Sequence, residues 1–289
     1  MSENPVLGVI GGSGLYQFEG LKNVEMMDIE TPFGKPSSPI AIGTLSGKRV
    51  AFLARHGIGH HISPSEVNYR ANIYALKFIG VQHVVSISAV GSLRDDFAPG
   101  HIVIPDQLFD FTRNRDRTFF SDGLVVHIGS ADPFCKNLST QLFNAVNANG
   151  GTAHQSGSLI TIEGPRFSTK AESNVYRAWG MSVIGMTASP EAFLAREAEL
   201  CYAVMAHVTD YDVWHVTEAP VNVEMVIKTL LQNTALAQKA IQTLIENLTL
   251  NTDCSCHHAL ADAVITQRSR IPPVIAKKLD LLVGKYLKA

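Results

Sequence analysis

Three things are missing from this chain, and each absence removes a class of function. There is no basic run: 24 Lys and Arg stand against 26 Asp and Glu, for a net charge of −2. Nucleic acid is therefore not expected as a partner. There is no apolar stretch near the roughly 20 residues of a membrane helix, so no membrane partner is expected either. There is no low-complexity segment, internal repeat or linker to mark a domain boundary. Met1 to Pro5 is short and polar and runs straight into an apolar stretch, which reads as no signal peptide and a cytoplasmic location. Cysteine is sparse, with four in 289 residues. That count fits a reducing compartment, where these thiols serve as plain core or terminal residues.

What is present is a 46% hydrophobic chain, enough to build the core of one large α/β domain or two smaller ones. Its most informative stretch runs from Thr161 to Glu191. The segments Thr161-Ile162-Glu163-Gly164-Pro165-Arg166-Phe167-Ser168 and Ile184-Gly185-Met186-Thr187-Ala188-Ser189-Pro190-Glu191 each read as an apolar strand ending in polar turn residues. Between them Thr169 can cap a helix through Ala171, Val175 and Ala178, and Gly180 can end it. Ligands of open α/β sheets bind where strands end and helices begin. Hydroxyls, one aromatic ring and exposed backbone at two such ends suit a flat ring attached to a sugar.

Other strand ends carry similar chemistry. Val6 to Ile10 opens into Gly11-Gly12-Ser13-Gly14, which fits an anion cradle of backbone N–H groups or a plain tight turn. The spacing is not that of a dinucleotide fingerprint. Arg49 to Ala54 ends in Arg55-His56-Gly57, a phosphate grip or a surface turn. Ser63-Pro64-Ser65-Glu66 has the pattern of a capping box and predicts a helix from there to about Ile79. His83 to Ser88 predicts a buried strand that ends in the small-residue turn Ala89-Val90-Gly91-Ser92. The polar run from Asp110 to Ser121, with Arg113, Arg115 and Arg117, predicts a mobile surface loop. Tyr202 to Val208 is a strand ending in Thr209-Asp210-Tyr211-Asp212, where two carboxylates call for a ligand, a cation or solvent. Asn222 can cap a long helix, and the tail from Asp253 predicts helix broken at Pro272-Pro273. Cys254-Ser255-Cys256-His257-His258 offers metal-binding side chains too crowded to close a tetrahedron alone, so no metal site is expected.

Taken in order, Gly11-Gly12-Ser13-Gly14-Leu15, Thr31-Pro32-Phe33-Gly34-Lys35-Pro36-Ser37, Leu53-Ala54-Arg55-His56-Gly57, Val67-Asn68-Tyr69-Arg70-Ala71-Asn72, the Thr161–Ser168 segment and Thr209-Asp210-Tyr211-Asp212 resemble the methylthioadenosine phosphorylase family of the trimeric purine nucleoside phosphorylase superfamily. The resemblance covers about Val6 to Leu248. It implies a single-domain α/β fold around a distorted mixed sheet flanked by helices, with residues 1–250 as the phosphorylase domain and 251–289 as a helical extension packed on it. It implies a homotrimer and no metal or organic cofactor, inorganic phosphate being a co-substrate of the purine nucleoside. The family's phosphate site falls on Ser13, Arg55, His56, Ser88, Ala89 and Thr187, and its base pocket on Phe167, Ser168, Ile184, Asp210 and Asp212. Met186 falls on the ribose contact, and His127 on a position that reaches a neighbouring subunit's pocket.

The implied reaction is phosphorolysis of methylthioadenosine. Its transition state is positive at the ribose and negative on the departing purine, so an anion on one side and a proton donor on the other are needed. Asp210, if buried, would protonate the base. Gly185 stands where the animal enzymes have asparagine, as in relatives acting on methylthioinosine. A methylthioinosine or 6-oxopurine nucleoside phosphorylase therefore stays as an alternative, with a non-catalytic nucleoside-binding protein as a more distant one.

Overall fold

The computed structural model describes residues 4–11, 18, 20–215, 223–250 and 253–287. Ser13, with its glycine neighbours, and Asn222 lie outside the described residues. Strand β1 (Leu7–Gly11) is buried at every position. It is followed by β2 (Lys22–Met27), β3 (Ile40–Leu45) and β4 (Lys48–Ala54), then helix α1 (Tyr69–Phe78) and strand β5 (His83–Ser92). The middle of the chain forms β6 (Ile102–Val103), β7 (Gln107–Phe111), α2 (Lys136–Ala148), β8 (Ala153–His154) and β9 (Ser158–Ile162). Then come α3 (Lys170–Ala178), β10 (Val183–Gly185), α4 (Ala188–Glu197), β11 (Cys201–Asp210) and α5 (Val223–Asn247). The tail carries α6 (Pro273–Lys278) and α7 (Asp280–Leu287).

Among the described residues, eleven strands form one mixed sheet in the order β2-β3-β4-β1-β5-β10-β9-β7, with β11, β6 and β8 branching from it. Strand β11 shows how the sheet is covered. Successive side chains of a strand point to opposite faces. Tyr202, Val204, Ala206 and Val208 accordingly join the core that contains Ile73 of α1 and Ala192 of α4. Cys201, Ala203 and Met205 join the core that contains Leu138 of α2 and Ile241 of α5. Helices therefore flank both faces, the α/β architecture expected of strands apolar on every residue. At the edge, β2 is largely exposed and carries Lys22 and Glu25, charges that discourage pairing with another chain.

The sheet divides at β5. Residues 84–86 of β5 pair in parallel with β1, and residues 91–92 pair antiparallel with β10 on that same side. Strand β11 occupies the other side along most of its length. The β1 pairing ends at Ser86 and the β10 pairing begins at Gly91, so the backbone between them has a gap in its ladder. The strand thus continues where a turn was expected at Ala89 to Ser92. Small residues are needed there for close approach: a Cβ on Gly91 would lie 3.0 Å from Asp210 Oδ1 and 3.1 Å from Ile184.

Three further expectations are corrected. The Ser63–Glu66 pair does form, since Glu66 accepts from Ser63 N–H at 3.1 Å, but it closes a turn. The helix begins later, at Tyr69, capped by Asn68, whose side chain accepts from Ala71 N–H. The predicted surface loop between Asp110 and Ser121 is anchored: Phe119 and Phe120 are buried, and Glu197 accepts from Phe119 N–H at 2.8 Å and the Thr118 hydroxyl at 2.7 Å. The tail is not helical from Asp253. Its first part holds only the short 3₁₀ turns Ser255–His258 and Arg268–Arg270, and α-helix starts at Pro273, where a missing N–H costs nothing. Thr169 and Glu172 do form the reciprocal cap of α3, and Gly180 follows that helix at φ +80°.

Burial pushes the Glu197 carboxyl up to about 7, against the opposing pull of its two hydrogen bonds. The folded state then holds a proton that the unfolded chain releases near its ordinary value, so this group's contribution falls as pH rises between those two values and is flat above them. Urea denaturation across about pH 5 to about pH 8 should show wild type losing stability relative to Glu197→Gln as pH rises, by up to roughly 3 kcal/mol. A pH-independent difference between the two proteins would show that Glu197 is ionised throughout.

Candidate active site

A cavity of about 460 Å³ opens over the ladder gap. Ser88, Ala89, Val90 and Gly91 of β5 form part of its wall, and the ends of β4, β9, β10 and β11, the loops that follow them and the start of α5 bring the rest. Every expected site residue within the described chain except His127 lines it: Arg55, His56, Ser88, Ala89, Phe167, Ser168, Ile184, Met186, Thr187, Asp210 and Asp212. His127 lies elsewhere, exposed, with its backbone N–H donated to Ala263. Twelve further residues line it, and five of them, His60, Pro64, Val223, Val226 and Ile227, come from outside the strand ends and turns that the sequence singled out. The last three belong to the first turns of α5, whose apolar pattern had pointed only to packing. Mostly apolar walls with a few convergent polar groups are the make-up of a small-molecule site.

At one end sit two carboxylates. Asp210 closes β11 and is 4% exposed. Its Oδ2 accepts from the Thr209 hydroxyl at 2.6 Å and its Oδ1 from Asp212 N–H at 2.7 Å. Burial nevertheless pushes its carboxyl up to about 6, the two hydrogen bonds only partly offsetting the loss of water. Such a group holds a proton on about a tenth of molecules at neutral pH, and can pass it to a ligand atom. Burial raises Asp212 as well. The Ser173 and Ser168 hydroxyls beside Asp212 pull its carboxyl partly back down.

At the other end sits Arg55, whose side chain is 1% exposed. Its fork faces inward. Glu191 takes Nε at 2.9 Å and Nη2 at 3.0 Å, Ser86 Oγ takes Nη2 at 2.6 Å, and Ile87 C=O takes Nη1 at 3.2 Å. These bonds use four of the five guanidinium N–H groups. Burial works against the charge, but the Glu191 carboxylate outweighs it and holds the Arg55 pKa above its ordinary value. Arg55 thus offers the cavity a fixed positive charge and at most one N–H, rather than the open fork the sequence led us to expect. The reason is the counterion that a buried cation requires. His56, 6% exposed, donates Nδ1–H to Ile62 C=O at 2.9 Å. Burial, and then the charge of Arg55, lower its pKa to about 4, so near neutrality the ring is uncharged and presents Nε2 as an acceptor. A ligand hydroxyl can donate to it. Thr187 heads α4 without using its hydroxyl as a cap.

A third element holds the two halves together. The Arg115 side chain is 1% exposed and reaches both strand ends that flank the cavity. Its Nη1 lies 2.7 Å from Met186 C=O and 2.8 Å from Ser189 C=O, its Nη2 donates to Glu163 C=O at 2.7 Å, and its Nε to Glu163 Oε1 at 3.2 Å. Burial would raise the Glu163 carboxyl, but N–H donation from Arg113 and Asn114, the Ser65 hydroxyl and the Arg115 charge hold it down at about 2. The signals for this staple were the buried Phe119-Phe120 pair after the arginines and the lone acid Glu163 at a strand end.

The model of the phosphorylase superfamily matches residues 6–246. The chain is similar to the S-methyl-5'-thioadenosine phosphorylase of Geobacter sulfurreducens, 51% identical over 283 residues that cover 98% of this chain and 99% of that one. It is similar to the Chloroflexus aurantiacus protein of the same name, 52% identical over 281 residues, 97% of this chain and 98% of that one. Among solved structures, a methylthioadenosine phosphorylase from an antarctic soil metagenomic library superposes with a TM-score of 0.90 at 44% identity, covering 97% of this chain and 99% of the other. An adenosine/methylthioadenosine phosphorylase from Schistosoma mansoni, in complex with methylthioadenosine, gives a TM-score of 0.79 at 36% identity, over 83% and 90% of the two chains.

Arg115→Ala leaves the Met186, Ser189 and Glu163 carbonyls without this donor, while the Glu163 carboxylate keeps the Arg113 and Asn114 N–H groups and the Ser65 hydroxyl. We expect a loss of about 1–3 kcal/mol in urea denaturation, the usual cost of leaving buried acceptors unpaired. A loss under about 1 kcal/mol would mean that the loop is held by its phenylalanines alone.

Proposed function

The chain belongs to the phosphorylase superfamily, and from that premise we propose that it cleaves methylthioadenosine with inorganic phosphate, giving adenine and 5-methylthioribose 1-phosphate. The observation that carries the reading is Asp210, a buried carboxyl poised to give up a proton, at the opposite end of the cavity chemistry from the fixed charge of Arg55. In this reading phosphate lies over Arg55, His56, Thr187 and the Ser88–Ala89 backbone, and serves as nucleophile and counter-charge for the cationic ribose. Ser13 is assigned to the same anion from its sequence position. The purine is covered by Phe167, with Ser168, Ile184 and Asp212 around it and Met186 against the ribose. Asp210 protonates N7 as the bond to the sugar breaks, and departure of a neutral base replaces departure of an anion.

Base choice follows from the same residue. A leaving adenine shows two donors side by side, protonated N7 and the 6-amino group, and a carboxylate accepts both. A leaving 6-oxopurine shows one donor and one acceptor, which suits an amide. Gly185 favours the second class, and we give Asp210 the greater weight because it meets the reacting edge. The proposal extends to a cytoplasmic homotrimer acting in purine and methionine salvage, without an organic cofactor or catalytic metal. His127 would then contribute to a neighbouring subunit's pocket.

Phosphate-dependent release of adenine from methylthioadenosine, compared with adenosine, methylthioinosine and inosine, tests the activity. Asp210→Asn should lower kcat/KM for methylthioadenosine and shift the preference toward methylthioinosine at least about tenfold, since a mismatched buried polar pair costs roughly 1–3 kcal/mol. An unmoved ratio would take base choice away from Asp210. Sedimentation should give a mass near three times 31.4 kDa, and a fully active monomer would overturn the assembly.

A further inference from the structure

All four cysteines of the chain meet in one place, away from the cavity just described. Cys135 stands at the N-cap of α2, Cys201 at the start of β11, and Cys254 and Cys256 in the tail. Their four sulfurs lie within 4.8 Å of one another. Cys135, Cys201 and Cys256 are each no more than 4% exposed. From these positions we propose that the four thiols form a structural zinc site that fastens the C-terminal tail to the sheet.

The spacing carries the argument. Zinc–thiolate bonds of about 2.3 Å in a tetrahedron set the sulfurs about 3.8 Å apart. Cys135 Sγ and Cys254 Sγ are 3.8 Å apart. A disulfide needs about 2.05 Å, and all four cysteines are free thiols. Two thiols in Cys254-Ser255-Cys256 cannot surround an ion, which is why the sequence pointed to no metal. The fold supplies the other two from elements more than fifty residues upstream.

The surroundings fit as well. A helix N-terminus stabilises a thiolate, and Cys135 occupies one. A cleft of about 1000 Å³, lined by Cys135, Cys254 and Cys256 and carrying both acidic (Asp106, Asp132, Asp253) and basic (Lys136, Arg196) side chains, gives a route from solvent to the thiols. Binding replaces four S–H bonds by four Zn–S bonds and releases four protons to solvent. The ion takes two of the four thiolate charges, and the helix terminus faces part of the rest. His257 lies beside the cluster, its Nε2 3.7 Å from Cys201 Sγ. Its Nδ1–H goes to Glu199 C=O at 3.1 Å, which turns Nε2 toward Cys201, and with His83 it forms a second, mixed group around that thiol, outside the four-sulfur set.

The full-length protein, purified under reducing conditions and without an affinity metal, should contain about one zinc per chain by plasma mass spectrometry. X-ray absorption should show a shell of four sulfurs at about 2.3 Å. A chelator should lower the thermal midpoint of wild type and leave that of Cys254→Ser/Cys256→Ser unchanged, the variant having lost its zinc. Protein that stays metal-free after incubation with excess zinc chloride and gel filtration would overturn the proposal. So would two disulfides found by alkylation under non-reducing conditions, or a zinc shell containing imidazole nitrogen. The metal content of wild type decides the question if the double variant does not fold.

Discussion

The buried pair of Arg55 and Glu191 is the interaction on which the rest of this structure rests. It joins the turn after β4 to α4, with Ser86 on β5 and Tyr202 on β11 completing its shell. Four elements that diverge in sequence are thereby held under one cavity floor. Neither partner is solvated, so removing either leaves an uncompensated charge in the core, and such losses cost about 3–5 kcal/mol. The pair also fills the place where a sheet would ordinarily bond to itself. Where β5 has lost β1 and not yet met β10, Arg55 donates to Ile87 C=O. The guanidinium substitutes for a missing strand, and the cavity exists because the substitute is shorter than a strand.

That gap connects fold to chemistry. Interrupting a ladder frees backbone groups, and buried backbone groups are rarely left unpaired. On the open side of β5 between Ser86 and Gly91 they meet a cavity, lined by Ser88 and Ala89, instead of a neighbouring strand. A ligand that bonds to them recovers what the sheet gave up. The anion end of the site is therefore built from the main chain and from one internally held charge. In the proposed reaction this arrangement would position a phosphate with little side-chain motion.

Much of the scaffold was legible because it is written in local periods. The buried runs of β1, β5 and β11, the Thr169–Glu172 cap and Gly180 after α3 each follow from neighbours within a few residues. Eleven of the residues that line the cavity were read from strand ends and from family resemblance, and they converge. What escaped depends on distant partners. Ser63 and Glu66 make the same short-range bond in a turn as in a helix, so only packing decides between them. Ala89 to Ser92 has turn composition but meets Ile184, almost a hundred residues later, and becomes strand. Arg115 reads as a surface residue until Glu163, Met186 and Ser189 are folded around it. Charged residues are ambiguous in sequence because exposure and buried pairing use the same letters.

The two ends of the cavity are tuned in opposite senses, and the same physical cause acts on both. Loss of water raises Asp210 toward neutrality and lowers His56 toward neutrality. Arg55 resists because Glu191 travels with it, and their charges nearly cancel beyond a short distance. The Arg55 charge thus reaches the cavity softened by Glu191, His56 is uncharged, and Asp210 is mostly ionised near neutral pH. In the proposed reaction a dianion entering at one end meets a neutral ring that accepts a hydrogen bond, and a departing base at the other meets a carboxyl that can part with its proton. Charge develops only as the sugar–base bond stretches, and the groups that answer it are already placed. In a site of this kind burial sets protonation, and ion pairing sets position. Asp210 shows the first and Arg55 the second.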